Sequence, residues 1–212
     1  MSSGLKTFIG ITGGIGSGKS MICRIFSILG IPVFEADHFA KTICDSDPEV
    51  KEAIMEEFGS QAYLPDGTYN REGIKKILQK YPQDIEILNQ IIHPAVRKAA
   101  VDWLENAPPA PFYLYESALI TPKNKPEHLD QLIAVSCPLE ERISHIQKRK
   151  HMNYMQTMQI IDIQPKPNSY LKGAEFVIEN SQKTRIWPQI EHIYKSLGGT
   201  LLLLFSVICF GN

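Results

Sequence analysis

Residues 8–20 read FIGITGGIGSGKS. Phe8 to Ile11 is a short apolar run of strand formers. Gly13, Gly14, Gly16 and Gly18 follow, and the stretch closes on Lys19-Ser20. The pattern fits G-x-x-x-x-G-K-[ST], a phosphate-binding loop between a strand and a helix. The glycines let backbone approach a ligand with no Cβ in the way. Loop amides and a helix N-terminus then favour an anion at one point. Lys19 adds a mobile positive charge, and the Ser20 hydroxyl is a hard oxygen donor suited to Mg²⁺. The flanks agree: β-rich residues lie before the loop, and an amphipathic run (Met21, Ile22, Ile25, Phe26, Leu29) lies after it.

The chain has 212 residues, enough for one α/β domain with an insertion or for two small domains. Hydrophobic residues make up 43% and charged residues 21%, which is ordinary for a globular protein. A net charge of −1 argues against a general nucleic-acid binder. Cys23, Cys44, Cys137 and Cys209 form no C-x-x-C pair and read as small buried residues. No signal peptide precedes the first strand, so a reducing cytoplasm is the expected setting. The run Leu201 to Phe210, LLLLFSVICF, is too short to span a bilayer as a helix, which needs about 20 residues. It reads as a last buried strand, a tail packed on a neighbour, or an altered terminus; no membrane association is expected.

Residues 5–11 are predicted as the first strand, 19–29 as a helix ended by Gly30, and 31–34 as the second strand. Glu35-Ala36-Asp37 then falls at a strand's carboxyl end, where open α/β sheets place their ligand crevice. Asp37 is either the N-cap of the helix that follows or a base that orients an attacking hydroxyl. Residues 47–107 carry apolar spacing near about 3.6 and read as a helical insertion outside the sheet. The insertion contains Arg71, His93 and Arg97, with His93-Pro94 expected to break a helix and aim the imidazole. Phe112 to Tyr115 is the third strand, with Glu116 at its end either holding a magnesium-bound water or a substrate, or serving as a helix N-terminal charge. Residues 132–135 form the fourth strand and 174–178 the fifth. Residues 150–173 have little apolar periodicity and two prolines. They read as a flexible basic flap, poorly suited to a core.

These motifs together resemble the dephospho-CoA kinase family over residues 7 to about 195. They are GITGGIGSGKS, the acidic Glu35-Ala36-Asp37, the turn Asp66-Gly67-Thr68 with Arg71, and the pair His93-Pro94. Glu116, Arg149, and Ala174, Val177, Ile178 and Asn180 complete the set. The resemblance implies an α/β fold: a P-loop NTPase core with a five-stranded parallel sheet (residues 1–46, 108–149 and 174–200). It adds a helical CoA-binding insertion (47–107) and a lid (150–173), and leaves the tail (201–212) without a role. It implies transfer of the γ-phosphoryl of ATP to the ribose 3′-hydroxyl of dephospho-CoA, with Mg²⁺, in a monomer or weak homo-oligomer. Asp37, Lys19 and Arg149 are then expected to be catalytic. Gly14, Ile15, Gly16, Ser17, Gly18, Lys19, Ser20, Met21 and Asn180 would hold ATP. Asp37, Arg71, His93 and Glu116 would meet the acceptor. Ser20 would hold the magnesium directly and Glu35 through water.

The chain departs from the family pattern in places. Glu35 replaces an Asp, Arg149-Lys150 replaces Arg-Asp, and Phe112-Tyr113-Leu114-Tyr115 replaces a Pro-Leu-Leu run. Ile160 and Tyr170 stand where lid cations are expected, with Lys166 and Lys172 nearby to compensate. Two other readings stay open. One is a different small-molecule or nucleotide P-loop kinase; the other is a catalytically weak ATP-binding module.

Overall fold

The computed structural model describes residues 6–200; the run Leu201 to Phe210 lies outside the described residues. The chain divides into two compact units. One comprises, among the described residues, 6–34 and 106–200; the other is Glu35–Glu105.

The first unit is built on a five-stranded sheet. Its strands are β1 (Phe8–Thr12), β2 (Val33–Glu35, whose last residue begins the second unit), β3 (Tyr113–Glu116), β4 (Gln131–Ser136) and β5 (Phe176–Glu179). Their order is β2-β3-β1-β4-β5, and β1–β3, β1–β4 and β4–β5 pair in parallel. β1 ends one residue later than the sequence predicts, because Thr12 still pairs with Ala134, and it begins later than predicted, at Phe8. All five β1 residues are buried. A strand covered on both faces reads as a continuous apolar run, as this one does.

One face of the sheet packs on α1 (Lys19–Ile28) and α9 (Ile186–Ser196). Ile9, Ile11, Leu114, Ile133 and Val135 meet Ile22 and Phe26 of α1 and Ile190 and Ile193 of α9 in one core. Phe26 is fully buried, edge-on to Phe112 at a ring separation of 5.8 Å. Phe26→Ala is expected to cost about 3–5 kcal/mol of stability. Urea denaturation checks this as a lower midpoint with an unchanged slope. On the other face Tyr115 stacks on Phe34 at 5.5 Å and meets Phe8 edge-on at 5.7 Å.

α6 (Leu139–Lys150) follows β4, and the segment beyond it differs from the sequence expectation. Instead of a flap without a core, it forms α7 (Tyr154–Asp162) and α8 (Pro167–Leu171). Asn153 and Gln156 close a reciprocal capping box at the start of α7. Thr157, Ile161 and Tyr170 are buried, and α8 packs against β4. The period was obscured because two short helices, split by Pro165, each bury only one or two side chains. Lys166 pairs with Asp162 at 2.9 Å on the surface.

The second unit contains α2 (Ala36–Ser46), α3 (Pro48–Phe58), α4 (Arg71–Lys80) and α5 (Ile85–Asn106). Asp47 caps α3, its carboxylate accepting from the amides of Glu49 and Val50. Between α3 and α4, Gly67 has φ 84°, and the Leu64 amide donates to the Thr68 carbonyl at 2.8 Å to close a tight turn. Pro94 lies inside α5 and does not end it, so the expected break at His93-Pro94 is absent. Apolar residues on both sides of Pro94, among them Leu88, Val96 and Ala100, are buried and hold the helix in register. Among the described residues no helix is long and apolar enough to cross a membrane.

Candidate active site

β1 ends at Thr12, whose hydroxyl donates to the Ile120 carbonyl at 2.8 Å. The chain then turns through residues 13–18 into α1. Gly16 and Gly18 have φ 78° and 89°, a region that strains any other residue. Gly18 is also the N-cap of α1 and has no side chain with which to cap it. The first amides of the helix are therefore left for a ligand, and the helix dipole favours an anion there. The amides of Gly16, Gly18, Lys19 and Ser20 meet no acceptor among the described residues.

Parallel pairing sets Ile11 of β1 beside Glu116 at the end of β3. The Glu116 carboxylate consequently lies under the loop. Its Oε1 is 2.6 Å from Lys19 Nζ and accepts the Ser20 hydroxyl at 3.0 Å. Lys19 and Glu116 are 9% and 8% exposed, so this ion pair is nearly out of water. A buried pair of this kind is maintained by mutual compensation and is costly to break by removing one partner. An arriving polyphosphate would offer Lys19 a second anion at the same place.

Other elements hold the loop from behind. The Ile15 amide donates to Gln164 Oε1 at 2.6 Å, and the Ile15 carbonyl accepts from Arg142 Nε at 3.0 Å. The Gly16 carbonyl lies 2.9 Å from His145 Nδ1. The Ser17 carbonyl accepts from Asn180 Nδ2 at 2.7 Å, which is where the structure puts Asn180. Ser17 Oγ is buried with no partner among the described residues. Arg142, His145 and Gln164 were not singled out by the sequence. Arg142 and His145 lie three apart, on one face of α6, and that spacing is the one legible sign of their shared target. Gln164 lies in an irregular link between α7 and α8 and carries no such sign. Arg149 is exposed near the end of α6, and Met21 is exposed in α1.

The other expected residues belong to the helical unit. Asp37 is in the first turn of α2, and Glu35 occupies the N-cap position without a side-chain cap bond. The N-cap reading of Asp37 is thereby replaced; it is an exposed acidic residue inside the helix start. Arg71 opens α4 and donates to the Lys41 carbonyl of α2. Its guanidinium lies 3.9 Å from Asp45 Oδ2 and 5.7 Å from the Tyr69 ring centre. The Thr68 amide and hydroxyl both bond the Asp66 carboxylate and hold its pKa below the usual range. His93 lies on α5, where desolvation, then Arg97 one turn on, lowers its pKa while Glu86 opposes them. No bond joins Arg71 and His93 among the described residues. An open groove of about 530 Å³ runs between α2 and α5, lined by Phe39, Thr42, Ile43, Ser46, Lys98 and Ala99 among others.

Comparison with known proteins converges on one family. The family model for dephospho-CoA kinase matches residues 7–185. The chain is similar to the dephospho-CoA kinase of Legionella pneumophila (strain Lens), 33% identical over 172 residues, 81% of this chain and 85% of that protein. It is also similar to the one from Salinibacter ruber, 34% identical over 176 residues, 82% and 88% of the two chains. Among solved structures, a protein from Thermus thermophilus superposes with a TM-score of 0.75 at 25% identity, covering 92% of this chain and 97% of that one. A dephospho-CoA kinase from Campylobacter jejuni shares the fold at a TM-score of 0.58 and 21% identity, covering 92% and 98%.

Proposed function

We infer the reaction from one premise: the chain belongs to the dephospho-CoA kinase family. It phosphorylates dephospho-CoA at the ribose 3′-hydroxyl, using ATP and releasing ADP and coenzyme A, the last step of coenzyme A synthesis. The observation that carries this reading is the phosphate loop, with its nearly buried Lys19–Glu116 pair, inside a chain that matches the family over residues 7–185.

Phosphoryl transfer passes through a loose transition state with charge spread over the phosphoryl oxygens, so positioning and nearby cations supply most of the rate. The open amides of Gly16, Gly18, Lys19 and Ser20 support binding of the phosphates of ATP. Lys19, released from Glu116, is proposed to neutralise charge on the transferred group, with Arg149 as a second cation. Asp37 is proposed as the base that accepts a hydrogen bond from the ribose hydroxyl and aligns it. Arg71, His93 and Glu116 are proposed to meet the acceptor nucleotide, with the helical unit as its binding domain and residues 150–173 as the lid. Asn180 is proposed to lie near the adenine end of ATP as well as bonding the loop.

Kinases of this family use ATP with a divalent metal. Among the described residues no cluster of His, Cys, Asp or Glu would hold a metal alone. The donors that are present still fit Mg²⁺, a hard cation that takes few protein ligands and completes its shell with phosphate and water. Ser20 Oγ and Glu116 Oε1, 3.0 Å apart, are the oxygens that would hold it, with Glu35 proposed to act through water. Bound there, Mg²⁺ would offset the charge of the phosphate oxygens. A cytoplasmic setting, where ATP is supplied, belongs to the same proposal.

A coupled ADP-release assay with Mg-ATP tests the reading, offering dephospho-CoA beside adenosine and AMP. ADP release with dephospho-CoA, and a product heavier by one phosphoryl group, is the expected result. Turnover confined to AMP would overturn it.

A further inference from the structure

We infer that Arg142 is a positioning residue for nucleotide binding: it holds the Ile15 carbonyl so that the following amide faces the phosphates. The inference rests on the reading of residues 13–20 as the ATP phosphate site. In a trans peptide the carbonyl of one residue and the N–H of the next point in opposite directions. No described peptide bond is cis. Whatever fixes a loop carbonyl therefore aims the next N–H.

Three consecutive loop carbonyls are held this way. Arg142 Nε takes that of Ile15, His145 Nδ1 that of Gly16, and Asn180 Nδ2 that of Ser17. The amides turned to the opposite side are those of Gly16, Ser17 and Gly18. The Ser17 amide closes a turn on the Gly14 carbonyl at 3.0 Å, which stiffens the loop. The Gly16 and Gly18 amides are left open. Gln164 takes the Ile15 amide, so that residue is held on both sides.

Arg142 is the most built-in member of the three. It is 3% exposed and forms no ion pair among the described residues, although a guanidinium loses much on leaving water. The loop is shaped to receive it. A Cβ on Gly14 would collide with the guanidinium, and a Cβ on Gly16 would come within 2.7 Å of the Arg142 carbonyl oxygen and 2.9 Å of Ile146 Cγ1. The first two variable-side glycines of the motif thus make room for α6 as well as for a ligand. A cation held behind the loop also adds to the positive potential at the anion site.

The experiment uses the full chain and reads ADP affinity by calorimetry with Mg-ADP, beside steady-state kinetics. The variants are Arg142→Met, which keeps the stem, and Arg142→Lys, which keeps a donor; circular dichroism checks that each is folded at the assay temperature. Arg142→Met is expected to weaken ADP binding and raise the KM for ATP about tenfold, the usual loss for one charge-assisted hydrogen bond. The kcat and the acceptor KM stay within about twofold, and Arg142→Lys recovers most of the affinity. Unchanged ADP affinity in Arg142→Met would overturn the proposal. So would a fall in kcat at constant ATP KM, which would place Arg142 on the transferring group. Equal losses in the Met and Lys variants that follow their thermal midpoints would reduce the residue to a packing role and also overturn it. ADP binding needs no acceptor. A wild-type chain that binds ADP and ignores dephospho-CoA therefore refutes the proposed reaction and leaves this test intact.

Discussion

Lys19→Met is expected to lower kcat/KM for dephospho-CoA phosphorylation about a thousandfold, the scale of losing one preorganised charge at a transition-state oxygen. Stability falls in the same variant for a separate reason. Glu116 is 8% exposed, and without Lys19 its carboxylate keeps, among the described residues, only the Ser20 hydroxyl as a partner. An uncompensated buried charge of this kind costs about 3 kcal/mol. Adding Glu116→Gln removes that charge and is expected to restore most of the urea midpoint, with no return of activity. The double variant therefore separates the two effects of Lys19. A Lys19→Met enzyme with near-normal turnover would refute the assignment of Lys19 to the transferring phosphoryl group.

Asp37→Asn is expected to lower kcat by about 10²–10⁴-fold, the range for losing a general base. The substitution keeps the shape of the side chain and its place in the first turn of α2, and removes the charge. The interaction of a carboxylate with a helix start is worth about 0.3–1 kcal/mol, and circular dichroism checks that the variant stays folded. Any large loss of turnover is then chemical. The measurement is kcat from ADP release, set beside ADP affinity by calorimetry, which stays unchanged. Turnover equal to the wild type would remove Asp37 from the role of base.

Much of the fold was legible because its signals are local. Apolar β-formers, clustered glycines and an amphipathic run together specify strand, loop and helix over residues 8–28. α1 lies within a residue of its expected limits, and β1 ends within a residue of its expected end. The helical character of residues 47–107 was legible from apolar spacing for the same reason. Two local readings failed where packing outweighed a local rule. Pro94 was expected to break α5, and the helix runs through it with buried residues on both sides. Residues 150–173 read as too polar for a core, and they bury Thr157, Ile161 and Tyr170 through two short helices.

The site divides along the same line. The residue types at 13–20 already fit the pattern of a phosphate loop, because glycine conformations, helix-start amides and a lysine are properties of the segment itself. The contacts that hold the loop depend on separations of 97 residues to Glu116, 127 to Arg142, 129 to His145, 149 to Gln164 and 163 to Asn180. No local pattern encodes such pairings. They exist because β1 lies between β3 and β4, which brings the end of β3 and the helix after β4 to the two sides of one loop. The sequence by itself determined that residues 13–20 carry the pattern of a phosphate-binding loop and that the chain resembles one kinase family. Only the tertiary structure decided that Glu116 holds Lys19 and that Arg142 sets the loop, since a hydrogen bond requires atoms to meet in space.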